Sequence, residues 1–334
     1  MAGKPVSSHQ LVKDFSRLRV LIIGDVMVDS YMWGRVERIS PEAPVPIVAV
    51  SKREIRPGGA ANVALNIQSL GATPLLCSVI GADEAGKQFS KMISGLKMDA
   101  SFLISDPARS TTVKTRVIGN NHQMLRVDEE EENHISEKSS KALLAKILSV
   151  IKEKKIDVII FEDYDKGVIT PGIIEQTVAA ANRSSIPVVV DPKKKNFLSY
   201  GGVTVMKPNL KELREGMKID VDKEDVPGIK KAAAKLKQSL KIDTVMVTLS
   251  EKGIFISNSQ VQQIVPALAH NVADVSGAGD TVISVAALCT ALGIPLITMA
   301  RLANLAGGQV VEKIGVVPVN LQQLVAAAEK ENIF

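Results

Sequence analysis

Cysteine, histidine and aromatic side chains are all scarce in these 334 residues, and each shortage excludes something. The two cysteines, Cys77 and Cys289, lie far apart in apolar segments. With no C-x-x-C pair and no His/Cys cluster, neither a disulfide framework nor a zinc site is available, and the two read as buried core thiols of a reducing compartment. Aromatics at 3% leave too few ring faces for a base-stacking track along single-stranded nucleic acid. No long basic tract appears either. Residues 193–195 (Lys-Lys-Lys) are the densest cluster, the net charge is +5, and the acidic run 129–132 offsets it. Both runs read as solvated surface, with Lys193 excepted below, and no nucleic-acid partner is expected. Residues 1–15 hold no apolar run fit for a signal peptide, and the longest apolar region, 285–300, is broken by Gly293 and Pro295. The expectation is a cytoplasmic protein without a membrane partner.

Hydrophobic residues at 46% and charged residues at 23% describe a globular chain, long enough for one large α/β domain or two ordinary ones. Residues 20–23 (Val-Leu-Ile-Ile) form a short apolar run ending in Gly24-Asp25, the pattern of a buried parallel strand with Asp25 and Asp29 at its exit. From residue 136 onward, helical and strand patterns alternate: helix 136–152, strand 156–161, helix 172–182, strands 186–190 and 203–206, helix 226–240, strand 244–249. That alternation implies a doubly wound, mostly parallel sheet with helices on both faces. Residues 44–50, punctuated by proline, and the pair 111–118 and 123–127, joined across Gly119-Asn-Asn121, stand outside it. They predict a small β-sheet lid, contributed by about residues 31–56 and 110–128 of one domain spanning 1–334.

The chemistry points to residues 271–284. Gly277, Ala278 and Gly279 have almost no side chain, so their N–H groups and the positive end of the following helix can meet a phosphate-sized anion. Asp280 stands beside them. It is either a helix cap or a carboxylate placed to take a proton from an attacking hydroxyl. Four strand exits are also polar: 163–167 (Asp-Tyr-Asp-Lys-Gly), 191–193, 207–212 and 248–253. Ligands of open α/β sheets gather at such ends. A glycine pair, Gly58 and Gly59, opens another helix that carries Asn62, with backbone and amide donors suited to hydroxyl groups.

Residues 274–280 (Asp-Val-Ser-Gly-Ala-Gly-Asp) resemble the C-terminal signature of the ribokinase/PfkB family of sugar kinases. Residues 24–29, 38–46 (Arg-Ile-Ser-Pro-Glu-Ala-Pro-Val-Pro) and 56–64 (Arg-Pro-Gly-Gly-Ala-Ala-Asn-Val-Ala) are similar to its branch acting in bacterial heptose biosynthesis. The resemblance covers nearly the whole chain. It implies a ribokinase-like fold and transfer of phosphate from ATP, with Mg²⁺, to C1 of D-glycero-β-D-manno-heptose 7-phosphate, a step toward ADP-heptose and the lipopolysaccharide core. A monovalent cation is left open, and a homodimer formed through the lid is implied. The residue roles it implies are Asp280 as base and the amides of Gly277, Ala278 and Gly279 as anion hole. Asn209 and Glu212 would hold Mg²⁺ through water and, with Leu210 and Lys211, the ATP phosphates. Thr248, Ser250, Glu251 and Gly253 would border the nucleotide, with Asn304 near the adenine. Asp29, Gly58, Gly59 and Asn62 would hold the sugar, and Arg116, Arg126, Lys166 and Lys193 compete for its phosphate. Three positions depart from the branch pattern: Ser30, Glu162 and Lys207 replace an arginine, a small residue and a threonine. Many relatives add a cytidylyltransferase domain with an H-x-G-H motif. Here the histidines are only His9, His122, His134 and His270, so the kinase half alone is expected. The rival readings are a kinase for another sugar or sugar phosphate, and a silent sugar or nucleotide sensor on the same fold.

Overall fold

An apolar strand run has to be covered on both faces, and the chain supplies helices for each. The computed structural model describes residues 7–153, 155–268 and 271–334; residues 1–6 of the N-terminal reading, and His270, lie outside them. In chain order come helix α1 (Ser8–Phe15), strands β1 (Arg19–Gly24), β2 (Val26–Ile39) and β3 (Pro46–Gly59), helix α2 (Ala60–Ser69), strand β4 (Thr73–Gly81) and helix α3 (Glu84–Gly95). Strands β5 (Leu103–Asp106), β6 (Val113–Gly119) and β7 (His122–Glu129) lead to helix α4 (Glu137–Glu153), strand β8 (Val158–Glu162) and helix α5 (Pro171–Arg183). Strands β9 (Val188–Asp191) and β10 (Val205–Met206) precede helices α6 (Leu210–Met217) and α7 (Val226–Leu240). Strands β11 (Thr244–Thr248), β12 (Ile254–Ser257) and β13 (Gln262–Val265) are followed by helices α8 (Ala278–Ala291), α9 (Leu296–Val311) and α10 (Leu321–Lys330).

Nine strands form the main sheet in the order β13-β12-β11-β10-β9-β8-β1-β4-β5, parallel except at the β11-β12 and β12-β13 pairs. Side chains alternate across it. Val20 and Ile22 join the layer of α1, α2, α8, α9 and α10, while Leu21 and Ile23 join that of α4 to α7. Full burial of each such aliphatic side chain contributes about 1.5–3 kcal/mol. The doubly wound sheet read from the alternation is therefore present. The antiparallel edge β12-β13 was not legible, because a hairpin edge needs no helix between its strands. The chain leaves β1 toward β4 and β5 on one side and toward β8 and β9 on the other, which makes the β1-β8 boundary a switch point where a crevice opens.

The smaller lid sheet has the order β3-β2-β6-β7. Its first two strands extend beyond the range read from sequence, because β2 starts at Val26, one residue after β1, and β3 runs straight into α2. Asp25 marks that junction: its carbonyl accepts the N–H of Ala60 at 2.9 Å. The acidic run lies at the surface, with Glu129 and Glu132 exposed, but it is not free of partners. Glu130 pairs with Lys114 and Lys166, and Glu132 with Lys166 and with Lys195 of the basic cluster. Cys77 and Cys289 are buried free thiols, as expected, each pushed up to about 12 by burial. Among the described residues no helix is long and apolar enough to cross a membrane.

Candidate active site

Helix α8 begins at the crevice with Gly277 at φ +80°, a left-handed conformation that L side chains adopt at a cost. A β-carbon there would also fall 2.9 Å from the Asn62 amide nitrogen. The Ala278 N–H donates to the Val275 carbonyl at 3.3 Å, and the other first-turn N–H groups of α8, which lack intrahelical acceptors, are the donors this turn can offer. One turn in, Asp280 is buried, 5% exposed. Its two oxygens are each held: Asn62 Nδ2 donates to Oδ2 at 2.6 Å and the Tyr164 hydroxyl to Oδ1 at 2.8 Å. Burial pushes its pKa above the ordinary 3.8, and the two donors pull it partly back.

The residues read from sequence as holding a sugar lie on β2, β3 and α2. Asp29 is buried, and the Arg116 guanidinium donates to its Oδ1 at 2.5 Å. Gly58 lies opposite Met27 in the β2-β3 ladder, and a β-carbon on it would fall 2.1 Å from Asp29 Oδ2; glycine leaves room for that carboxylate. Gly59 holds φ +61° and lies against the Asp25 carbonyl. Asp25 is otherwise engaged: Oδ2 accepts the N–H of Tyr164 at 2.8 Å and of Lys166 at 3.2 Å, and Oδ1 that of Val168 at 3.0 Å. Its carboxyl is raised to about 6 by burial and by Asp163. Asp25 thus ties down the loop after β8. Arg116 and Arg126 are register partners on β6 and β7, so both side chains stand on one face. Arg126 is half-exposed and pairs with Asp128. Lys166 is held by Glu130 and Glu132. Lys193 pairs with Glu212 and lies over the Tyr164 ring, 5.4 Å from its centroid.

Behind α8 the exits of β8, β9 and β10 carry charge into the interior. Lys207 Nζ pairs with Asp191 Oδ2 at 2.7 Å, both nearly fully buried. A β-carbon at Gly279 would lie 3.6 Å from either atom, so the first turn of α8 faces this pair. Burial favours a neutral lysine, yet the Asp191 and Glu212 carboxylates outweigh it and hold Lys207 above its usual range. Glu162 is driven well above the carboxylate range by burial and by Asp191. Glu212 caps α6: Asn209 Oδ1 accepts its N–H at 2.8 Å, and its Oε2 accepts the Asn209 N–H at 2.8 Å. No cluster of three metal-ligating side chains occurs among the described residues. Instead Asp191 Oδ1 and Glu162 Oε2 are buried without a hydrogen-bond partner. Open acceptors beside a capped Glu212 fit the water shell of a divalent cation, as read from the sequence, better than direct ligation.

A cleft of about 770 Å³ adjoins α8 and is lined by Thr248, Ser250, Glu251, Gly253 and Asn304 among others. Asn209, Leu210 and Lys211 line a second hollow that shares Thr248 and Ser250. Asn304 Nδ2 donates to the carbonyls of Val265 at 2.9 Å and Pro266 at 3.1 Å, which ties α9 to the chain after β13. Of the residues singled out in the sequence, the structure brings Asn62 and Gly277 to Asp280, sets Gly58 against Asp29, and gathers Thr248, Ser250, Glu251, Gly253 and Asn304 around one cleft. The sequence reading did not rank Tyr164 or the buried Lys207-Asp191 pair. Tyr164 lay in a strand exit already marked as polar, and Lys207 was marked as a departure, but neither spacing nor composition says where a long side chain ends.

The model of the pfkB family carbohydrate kinases matches residues 17–323. The chain is 40% identical over 311 residues to the bifunctional protein HldE of Geotalea uraniireducens, covering 92% of this chain and 62% of that protein. It is 41% identical over 324 residues to the HldE of a Caulobacter species, strain K31, covering 97% and 65%. The chain therefore spans less than two thirds of the length of these relatives. Among solved structures, phosphofructokinase-2 of Escherichia coli in complex with potassium superposes with a TM-score of 0.77 at 20% identity, covering 93% of this chain and 99% of that one. Ribokinase of Arabidopsis thaliana, complexed with ribose and ATP, gives 0.70 at 18% identity, covering 92% and 98%. These likenesses make the fold ribokinase-like, and with the family match over most of its length the chain belongs to the pfkB family of carbohydrate kinases.

Proposed function

We propose that the chain transfers the γ-phosphoryl group of ATP to the C1 hydroxyl of D-glycero-β-D-manno-heptose 7-phosphate, giving the 1,7-bisphosphate and ADP. The observation that carries the reading is a buried carboxylate, Asp280, fixed at both oxygens at the amide end of α8, between a nucleotide-sized cleft and the sugar-side residues of the lid. The 40% identity to HldE proteins supports the heptose substrate.

In this reading Asp280 takes the C1 hydroxyl proton as the oxygen attacks the γ-phosphorus, and the bond to the β-phosphate oxygen breaks. The amides of Gly277, Ala278 and Gly279 meet the charge on the transferring group, with Lys207 behind them. Mg²⁺, when bound, neutralises charge across the phosphates; Asp191, Asn209 and Glu212 would hold its water shell. A monovalent cation is an open addition. Thr248, Ser250, Glu251 and Gly253 border the nucleotide, and Asn304 shapes the adenine end. Asp29 and Asn62 orient the sugar, with Gly58 and Gly59 giving it close approach. For the 7-phosphate, Arg116 and Arg126 are favoured over Lys166 and Lys193. All four cations hold carboxylates, Arg116 that of Asp29 and Arg126 that of Asp128, but the two arginines stand directly opposite one another, where their guanidinium groups repel and an anion between them relieves that cost. The chain acts as a homodimer in which lid sheets pair, covering exposed apolar residues such as Ile39 and Leu125. A family kinase for another sugar phosphate is the second reading, because the lid contacts specify an anion and hydroxyl groups but not the carbon skeleton.

The test is Asp280→Asn. Binding of ATP, followed by calorimetry, is expected to persist, while turnover falls on the order of 10²- to 10⁴-fold. Turnover within a few-fold of the parent would remove Asp280 as base.

A further inference from the structure

We propose that Tyr164 is a positioning residue for the phosphoryl transfer, its hydroxyl holding Asp280 oriented and ionised in the buried site. The inference rests on the reading of Asp280 as base. The geometry behind it is a continuous chain of contacts. Asp25, at the exit of β1, accepts the N–H groups of three alternate residues in the loop after β8, Tyr164, Lys166 and Val168. Fixed at its backbone, Tyr164 reaches across the crevice to donate to Asp280 Oδ1 at 2.8 Å. Lys193 closes over the ring face and pairs with Glu212, which caps the nucleotide-side helix α6. One side chain therefore joins the floor of the sugar side, the base and the phosphate side.

The arrangement has a chemical purpose. A carboxylate removed from water gains protons easily, and a protonated Asp280 cannot accept one from a hydroxyl. Asn62 steadies one oxygen from α2. The phenol steadies the other and leaves that oxygen a second lone pair for the incoming proton. The phenol itself stays protonated, because burial and the adjacent Asp280 carboxylate hold it well above its ordinary range. The other titratable groups facing Asp280 are Glu162 from the exit of β8, driven well above the carboxylate range, Asp191 from that of β9 and Lys207 from that of β10. None of them replaces a directed donor.

The experiment is Tyr164→Phe, which keeps the ring and its contact with Lys193. With ATP, Mg²⁺ and heptose 7-phosphate, kcat is expected to fall roughly 10- to 100-fold, the size of one hydrogen bond to a charged group. KM for ATP should stay unchanged, and the acid limb of the pH-rate profile should move to higher pH. A fluorinated tyrosine placed at 164, a stronger donor on the same ring, should move that limb to lower pH. An unchanged kcat, or a lower kcat with an unmoved limb in both variants, overturns the inference. Asp280→Asn separates the two readings: if it retains turnover, the base assignment falls and this role falls with it. If it is inactive while both Tyr164 variants behave as the parent, the base stands and only the role of Tyr164 is lost.

Discussion

The central residue, Asp280, illustrates what a sequence discloses and what it hides. The Gly277-Ala-Gly-Asp280 order showed that a carboxylate would stand beside outward-facing amides, since glycine and alanine offer nothing else to approach. It gave no reason to expect a displaced pKa. The structure supplies one: α8 is buried over most of its length, so the carboxylate sits in a poorly solvated site and its pKa lies above 3.8 despite two hydrogen-bond donors. The sign follows directly. A base with a raised pKa is protonated, and idle, over a wider acid range, so activity is lost as pH falls through that raised value. The acid limb of kcat/KM is accordingly expected above the range of an unperturbed aspartate, near 3.9. A steady-state pH profile checks this, and a limb at or below that range would contradict the assignment. Lys207 was visible as part of a polar strand exit and as a departure from a pattern, but its pairing with Asp191 was not, because a salt bridge between the exits of different strands depends on strand order.

At the scale of elements, the alternating part of the chain was the most legible. Helices α4, α5 and α7 and the strands that follow them lie within a few residues of their apolar patterns. The lid was read short, since β2 continues β1 across Asp25 with no turn residue between them, and β3 passes into α2 without a loop. Strand β10 shrinks to two residues, as flanking positions that looked strand-like pair only at Val205 and Met206. The element that matters most for chemistry is the start of α8. Gly277→Ala forces an L side chain into a left-handed conformation, at about 1–2 kcal/mol, and drives its methyl group toward the Asn62 amide that holds Asp280. Urea unfolding should show a loss of that order, together with reduced kcat. Parent-like stability and turnover would mean that the turn is not built as described.

The whole molecule is built on two sheets, and in the proposed function the smaller one covers the sugar side. The sequence indicated two classes of strand, those alternating with helices and those not, and this distinction survives as the main sheet and the lid. It could not show that the acidic run 129–132 and Lys195 come together, because residues more than sixty positions apart meet only through the fold. The outer lid strand β7 is exposed along its length, with Leu125 56% exposed. If the lid pairs with a second copy, Leu125→Glu should shift sedimentation from dimer to monomer, and a parent that is already monomeric would refute the pairing. The measurement that bears most directly on the central claim is ADP release from ATP and Mg²⁺ with heptose 7-phosphate, fructose 1-phosphate, fructose 6-phosphate and ribose offered separately. Rapid turnover with heptose 7-phosphate and little with the others is the predicted result. Preference for another sugar would contradict the substrate assignment, and no turnover with any of them, despite ATP binding, would contradict the kinase reading of the site.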